Sequence, residues 1–275
     1  MKIFLSGLES TATHGSKSWL SRLDRLPFKM KWNLMSYHYL QLNSRRPAAD
    51  LIRDNSELVL IDSGAHSFQK GVKADWENYT QNYSRFIRDF DRKNVIGYFE
   101  MDIDSIVGYK RVLEFRKILQ RVSDKIVPVW HKVRGIEEYE KMCEEFAGKI
   151  IAISGFRNED IDDEQYLMFL KKAKRYGCKV HCLGMARTPI LDKVPFDYTD
   201  SASWRHWTTF AWCCTGDKTK KKRVNSQFLR TGTHLADLEL KNYRHWVRVQ
   251  EYYYQKWRKY DEDFGGIAWR QFSRQ

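Results

Sequence analysis

Eight short apolar runs, each closed by small or polar residues and separated by amphipathic stretches, constrain this chain more than any other feature. They cover residues 2–6, 32–37, 58–62, 95–101, 126–130, 150–154, 179–183 and 196–200. Runs this short suit strands. The stretches between them, at 76–91, 106–122, 136–146 and 163–176, repeat apolar side chains every three or four residues, as helices do. Strand and helix in alternation build βαβ units with parallel strands. Eight of them predict an α/β fold, a closed (β/α)8 TIM barrel, and the 275 residues are close to the roughly 250 that one barrel needs. An open doubly wound sheet uses the same grammar but usually has fewer strands, and no glycine-rich phosphate loop follows the first run. The chain, 1–275, therefore reads as a single domain.

After the eighth run the sequence continues. Residues 205–234 form a basic insertion around Lys218, Lys220, Lys221, Lys222 and Arg223. Residues 235–275 are a helix and tail, with Leu240, Tyr243, Trp246, Val247, Tyr254 and Trp257 at helical spacing, expected to complete the outer ring. Lysine and arginine outnumber aspartate and glutamate by 48 to 35, a formal charge of +13, which favours a polyanionic partner. The five cysteines are odd in number and irregularly spaced, the pattern of reduced intracellular thiols. No segment approaches the 18 or so apolar residues of a membrane span, so a soluble cytoplasmic protein with no membrane partner is expected.

In such barrels the active site lies at the C-terminal ends of the strands. Here those ends carry carboxylates. The third run ends in Asp62-Ser63-Gly64-Ala65-His66-Ser67-Phe68-Gln69, the fourth in Glu100-Met101-Asp102-Ile103-Asp104, and the eighth in Asp200-Ser201-Ala202-Ser203-Trp204. The fifth, sixth and seventh end in Trp130-His131, Ser154-Gly155-Phe156 and Leu183-Gly184-Met185. One aspartate after a strand is ordinarily a helix cap or turn former. Three at a common rim can divide the cleavage of a glycosidic bond, because an oxocarbenium-like centre needs a carboxylate on one face and an acid at the leaving group.

Asp62-Ser63-Gly64, followed by an aromatic residue and a glutamine, resembles the signature of the tRNA-guanine transglycosylases. That family carries an aspartate-serine-glycine turn after strand three, a base-recognising aspartate after strand four and a glycine-rich loop after strand six. A leucine- or methionine-glycine turn follows strand seven and a nucleophilic aspartate strand eight. The corresponding places here hold Asp62, Asp102, Gly155, Leu183-Gly184 and Asp200. The resemblance covers residues 1–204 and then departs: the tRNA enzymes have a zinc subdomain with three closely spaced cysteines and a histidine, whereas this chain offers only adjacent Cys213 and Cys214. No structural zinc is expected, and no other metal or cofactor. A shortened, zinc-less form is more similar to the DpdA branch, which inserts 7-deazaguanine bases into DNA in bacteria and phages.

The resemblance implies a role for each residue. Asp200 attacks C1′ of a deoxyguanosine and holds the sugar covalently until a free 7-deazaguanine base, preQ0 or a relative, displaces it. Asp62 protonates the departing guanine and deprotonates its replacement. Asp102 accepts from the Watson-Crick edge, Ser63, Gly64, Leu183 and Gly184 are further candidate substrate-binding residues, and the backbone at Ser154-Gly155 presents amides to O6. His66 falls where the family stacks an aromatic ring on the base, and Met185 is a candidate for the other face. Asp104 is either a second recognition group or a support for Asp102, and Glu100 shares their alternation. Lys218, Lys220, Lys221, Lys222, Arg223 and Arg205 are candidate contacts to the nucleic-acid backbone, and the target base must leave its stack to reach a barrel mouth.

Other patterns carry less. Gly216-Asp217-Lys218-Thr219 lacks the spacing and context of a phosphate loop. Cys178, His181 and Cys182 lie on one strand, whose alternation sends neighbours to opposite faces, so they read as buried thiols beside a packed histidine. Two alternatives stay open, a tRNA-directed transglycosylase sharing Asp62, Asp102 and Asp200, and a non-catalytic nucleic-acid-binding barrel.

Overall fold

The computed structural model describes residues 1–10, 28–65, 74–154, 161–162, 164–210, 212–215, 221–223 and 232–262. Strands β1 (Lys2–Ser6), β2 (Met30–Ser36), β3 (Ser56–Asp62), β4 (Val95–Phe99), β5 (Ile126–Val127), β6 (Val129–Trp130), β7 (Ile150–Ser154), β8 (Lys179–Leu183) and β9 (Tyr198–Ser201) form one parallel sheet. Its order is β5-β4-β3-β2-β1-β9-β8-β7-β6. The two ends of that order are the two halves of a single run, separated by Pro128. Nine hydrogen-bonded strands are thus eight strands in a closed barrel, the fold expected from the eight apolar runs.

Proline explains the break. Lacking an N–H, Pro128 cannot donate to the ladder, although its carbonyl accepts from Ala152 N at 2.8 Å. The chain bonds to β4 before the proline and to β7 after it. The Val129 N–H donates instead to Glu100 Oε1 at 2.7 Å, and Arg116 holds that carboxylate through Nε (2.5 Å) and Nη2 (3.1 Å). Glu100 is therefore a structural group of the wall, its pKa raised by burial against the pull of Arg116.

Alternation along the strands divides the apolar residues into two sets. Phe4, Trp32, Leu34, Leu60, Phe99, Val127, Val129, Ala152 and Tyr198 fill the lumen, and a larger cluster joins the outer strand faces to the helices. Gly97 is needed inside, since a Cβ there would stand 2.7 Å from Val127 Cγ2 and 2.9 Å from Leu60 Cδ2.

Helices α1 (Tyr37–Leu40), α2 (Arg46–Asp54), α3 (Trp76–Phe90), α4 (Asp104–Val107), α5 (Tyr109–Gln120), α6 (Gly135–Glu145), α7 (Gln165–Arg175), α8 (Thr188–Leu191), α9 (Ser203–Thr209) and α10 (Gly232–Glu262) follow the strands. The helix expected over 106–122 is split into α4 and α5 at Gly108, whose φ of +80° no helix accommodates. The start of the segment expected as an insertion belongs to α9, and part of the remainder is an antiparallel ribbon, β10 (Trp212–Cys214) with β11 (Lys221–Arg223).

The last helix, α10, closes the ring. Tyr243 donates to Asn33 Oδ1 at 2.9 Å, and Gln250 Nε2 donates to the carbonyls of Ile3 (2.7 Å) and Trp32 (2.8 Å). Tyr243, Trp246 and Tyr253 are buried there, each contributing roughly 4–6 kcal/mol of transfer free energy before entropy is subtracted. Among the described residues no helix is long and apolar enough to cross a membrane.

Candidate active site

The period of two that fills the lumen also aims the last inward residue of seven of the eight strands at the C-terminal mouth, the exception being β4, where Met101 is buried in the outer cluster. Two positions beyond Phe4, Leu34, Leu60, Val129, Ala152 and His181 stand Ser6, Ser36, Asp62, His131, Ser154 and Leu183, and two beyond Tyr198 stands Asp200. The mouth is thus a polar ring above an apolar plug.

Asp200 is the best-held group in it. Its Oδ1 accepts from Gly184 N at 2.7 Å and faces His181 Nε2 at 3.0 Å, while Oδ2 accepts from Ser6 Oγ at 3.1 Å. Gly184 has φ +62°, the left-handed geometry that turns its N–H back toward the strand end. His181 is wholly buried in the lumen, packed by Phe99 edge-on at 5.0 Å and by Phe4 at 6.2 Å. Its Nδ1 has no hydrogen-bond partner among the described residues, which assigns the ring proton to Nε2, donating to Asp200. His181 is therefore more than a packed histidine: a ring N–H donor stands in the barrel axis behind a carboxylate.

Asp62 occupies the end of β3. Its Oδ2 accepts from Gly64 N at 3.0 Å, closing a turn that presses on β2. Gly64 has φ +75°, and a Cβ on it would meet His38 Cβ at 2.4 Å and His38 N at 2.6 Å, so the third residue of the motif must be glycine. Ser63 is fully buried, and its carbonyl accepts from Tyr79 Oη at 2.6 Å. Burial pushes the Asp62 pKa up to about 7; the Gly64 amide opposes the shift, and the charges of Asp102 and Asp200 add to it. Those couplings bring the three aspartates into one electrostatic site.

A second carboxylate lies beside Asp62. Glu9 is 1% exposed; its Oε1 accepts from Ser36 N at 3.2 Å, and Oε2 has no partner among the described residues. Burial raises its pKa to about 7, the charge of Asp62 contributing and Arg205 opposing. Arg205 itself donates to the Gly7 carbonyl at 3.2 Å, which ties it to this rim.

Asp102 and Asp104 have different surroundings. Asp102 Oδ1 pairs with His131 Nε2 at 2.5 Å, while Asp104 Oδ2 takes both Nε (2.9 Å) and Nη2 (2.7 Å) of Arg134. Burial opposes a charge on His131, but the hydrogen bond and charge of Asp102, with help from Asp104, outweigh it and raise its pKa. Asp102, Asp104 and His131 present ligand atoms within 4.8 Å of one another, the spacing of a cation cage. Arg134 forks onto Asp104 and His131 bonds Asp102, so each carboxylate of the cluster already has a protein partner. The Arg134 fork occupies Asp104 Oδ2, while the hydrogen bond of Asp102 to His131 falls on Oδ1.

The remaining expectations divide. Ser154 and Leu183 lie on the ring, and Gly184 serves through its amide. Met185 is buried in the outer cluster, its carbonyl accepting from Thr199 Oγ1 at 2.6 Å, which is a packing role and not one at the mouth. Lys221, Lys222 and Arg223 are exposed on β11. His66, Gly155, Lys218 and Lys220 lie outside the described residues. Glu9, Ser6, Ser36, His131, Arg134 and His181 are the groups that motif reasoning missed. For the serines and both histidines the signal was present, since each sits on the inward phase of its strand.

Comparison with family models, with curated proteins and with solved structures gives no match to this chain.

Proposed function

We propose that the chain is a guanine transglycosylase that exchanges guanine in DNA for a 7-deazaguanine base through a covalent aspartyl intermediate. The observation that carries this reading is the pairing of Asp200, fixed by three donors, with Asp62, a carboxyl held protonated up to about pH 7 at the same mouth. One carboxylate is preorganised to bond and one carboxyl is ready to give a proton, the division of labour that glycosidic exchange with retention requires.

In the first half-reaction an Asp200 oxygen bonds to C1′ as the C1′–N9 bond breaks. Oδ2, held by the single Ser6 contact, is the freer oxygen. The electron pair leaves on N9, and the Asp62 proton neutralises the departing guanine. In the second half-reaction the incoming base gives its N9 proton to Asp62 and its N9 bonds to C1′, and Asp200 departs as carboxylate. Neither half requires an oxidant, a metal or a cofactor. His181 and the Gly184 amide hold Oδ1 so that Oδ2 is positioned for C1′, and the second oxygen of Asp102 accepts from N1–H and the exocyclic amine of the base.

The test is incubation of the purified protein with DNA carrying labelled guanine, and separately with labelled tRNA, each with and without 7-deazaguanine bases. Label release from DNA that is abolished in Asp200→Asn, with a protein–DNA adduct in wild type alone, is the expected result. Release from tRNA alone would keep the mechanism and change the polymer. No release and no adduct with either polymer would reject the reading in favour of a binding barrel.

A further inference from the structure

On the outward face of α10, Lys241, Arg244, Arg248, Tyr252 and Lys259 are exposed and follow one another at steps of three, four, four and seven residues, a single stripe down the helix. The upper part of the stripe is concave. A groove of about 370 Å³ is lined by Cys214, Asp237, Lys241, Arg244, His245 and Arg248, with β10 as one wall. Behind that wall β11 exposes Lys221, Lys222 and Arg223, so two basic surfaces meet along one edge.

The pairing of these cations sets them apart. Lysines on either side of the stripe are engaged, Lys31 with Glu251 and Lys256 with Asp192 at 2.7 Å. Among the described residues no carboxylate lies within ion-pair distance of Lys241, Arg244 or Arg248, and Asp237 is the one acid in the groove lining. Three cations on adjacent turns repel one another, a cost that a polyanion relieves.

The groove is also close to the mouth. Asn242, between its lining residues, donates to the Trp212 carbonyl at 2.8 Å and to Thr208 Oγ1 at 3.1 Å, fixing α10 against the ribbon and α9. The next residue, Tyr243, packs edge-on to Trp204 at 5.2 Å, and Trp204 Nε1 donates to the Ser6 carbonyl at 2.9 Å. Ser6 in turn bonds Asp200. Tyr243, Trp204 and Ser6 thus form a continuous chain of contacts from the helix that carries the groove to the candidate nucleophile.

We infer that the α10 groove, formed by Lys241, Arg244 and Arg248 and flanked by the β10–β11 ribbon, binds the phosphate backbone of a nucleic-acid strand beside the barrel mouth. At about 1.5 Å of rise per residue Lys241 and Arg248 are about 10 Å apart along the helix, the axial length of about three stacked nucleotides. Tyr252, next along the stripe, offers a ring on which a base can stack. The inference deepens the proposed function by naming where the polymer lies, but its binding claim does not need the chemistry to be correct.

The experiment measures the affinity of the intact protein for a fluorescent 20-nucleotide single strand over a range of salt concentrations. It compares wild type, a groove variant (Lys241→Glu, Arg244→Glu, Arg248→Glu) and a variant of equal charge change at the opposite end of the barrel (Lys93→Glu, Lys117→Glu, Arg121→Glu). All six positions are exposed, and circular dichroism checks that both variants fold. The groove variant is expected to bind at least about 100-fold more weakly at low salt. Its log K against log salt slope should be shallower by about 2, since each lost phosphate contact removes about 0.7 from the slope for single strands. An unchanged slope, or equal losses in both variants, would overturn the inference. So would a groove variant that loses binding to phosphatidylserine vesicles while keeping DNA. Asp200→Asn is assayed in parallel: if it binds normally and wild type exchanges no base, the groove stands and the proposed chemistry falls. If exchange persists in the groove variant with unchanged DNA affinity, the chemistry stands and the groove falls.

Discussion

At the scale of single residues, the mouth depends on where protons sit. Glu9 and Asp62 both have folded pKa values near 7, above the ordinary carboxylate range, because burial penalises their charge. The stability these groups lend is complete below their unfolded pKa, near 4, and is lost as pH rises through about 7. Unfolding free energy should therefore fall between pH 4.5 and 7 by about 1.4 kcal/mol per pH unit for each group. Glu9→Gln should remove its share of that slope, as urea denaturation at several pH values would reveal; an identical slope would show that Glu9 is ionised in the fold. Gly64→Ala combines a strained φ with a 2.4 Å clash and should cost about 2 kcal/mol or more, measured as a lower denaturation midpoint. His181→Phe keeps the ring in the lumen but removes a donor from Asp200. The expected outcome is a fall in kcat of about tenfold or more with KM little changed, the signature of an interaction that matters in the transition state. Asp62 and Asp200 were legible as strand-end carboxylates. The partners that give them different tasks come from other strands, and no local pattern announces a contact between His181 and Asp200.

At the scale of elements, the break at Pro128 shows how the barrel is stitched. The proline removes one ladder donor, and the Glu100–Arg116 pair both fills the gap and neutralises itself inside the wall. Arg116→Met should leave Glu100 charged and buried without its partner, at a cost of about 3–5 kcal/mol, whereas the double variant with Glu100→Gln should recover much of the loss. A double-mutant cycle by chemical denaturation measures this, and simple additivity of the two changes would contradict it. The apolar runs located β1, β7 and β8 at their observed bounds and the other strands within a few residues, because a lumen-filling strand is apolar on both phases. What the runs did not mark were α2, the break at Gly108 and the β10–β11 ribbon. Two of these are set by tertiary surroundings, α2 packing a short apolar face under β3 and the ribbon leaning on α10 through Asn242, whereas Gly108 ends α4 by its own φ of +80°.

For the molecule as a whole, closure is the central fact. The sheet has no free edge because its first and last strands in hydrogen-bond order are one run of sequence, and α10 covers β1 and β2 with Tyr243, Trp246 and Tyr253. Ending the chain before α10, at residue 231, would expose those strands and strand the carbonyls that Gln250 satisfies. Such a truncation should lose cooperative thermal unfolding, followed by circular dichroism, and a sharp transition near that of the full chain would refute the role given to α10. The sequence by itself determined the number of strands, the parallel alternation that closes them and the end at which polar residues gather, since periodicity and burial act locally and are written in residue order. The tertiary structure alone decided which carboxylate is held by His181, which is kept protonated by burial, and which is locked by Arg134. Proton positions follow from distances and desolvation, and those exist only once strands far apart in sequence have come together around one mouth.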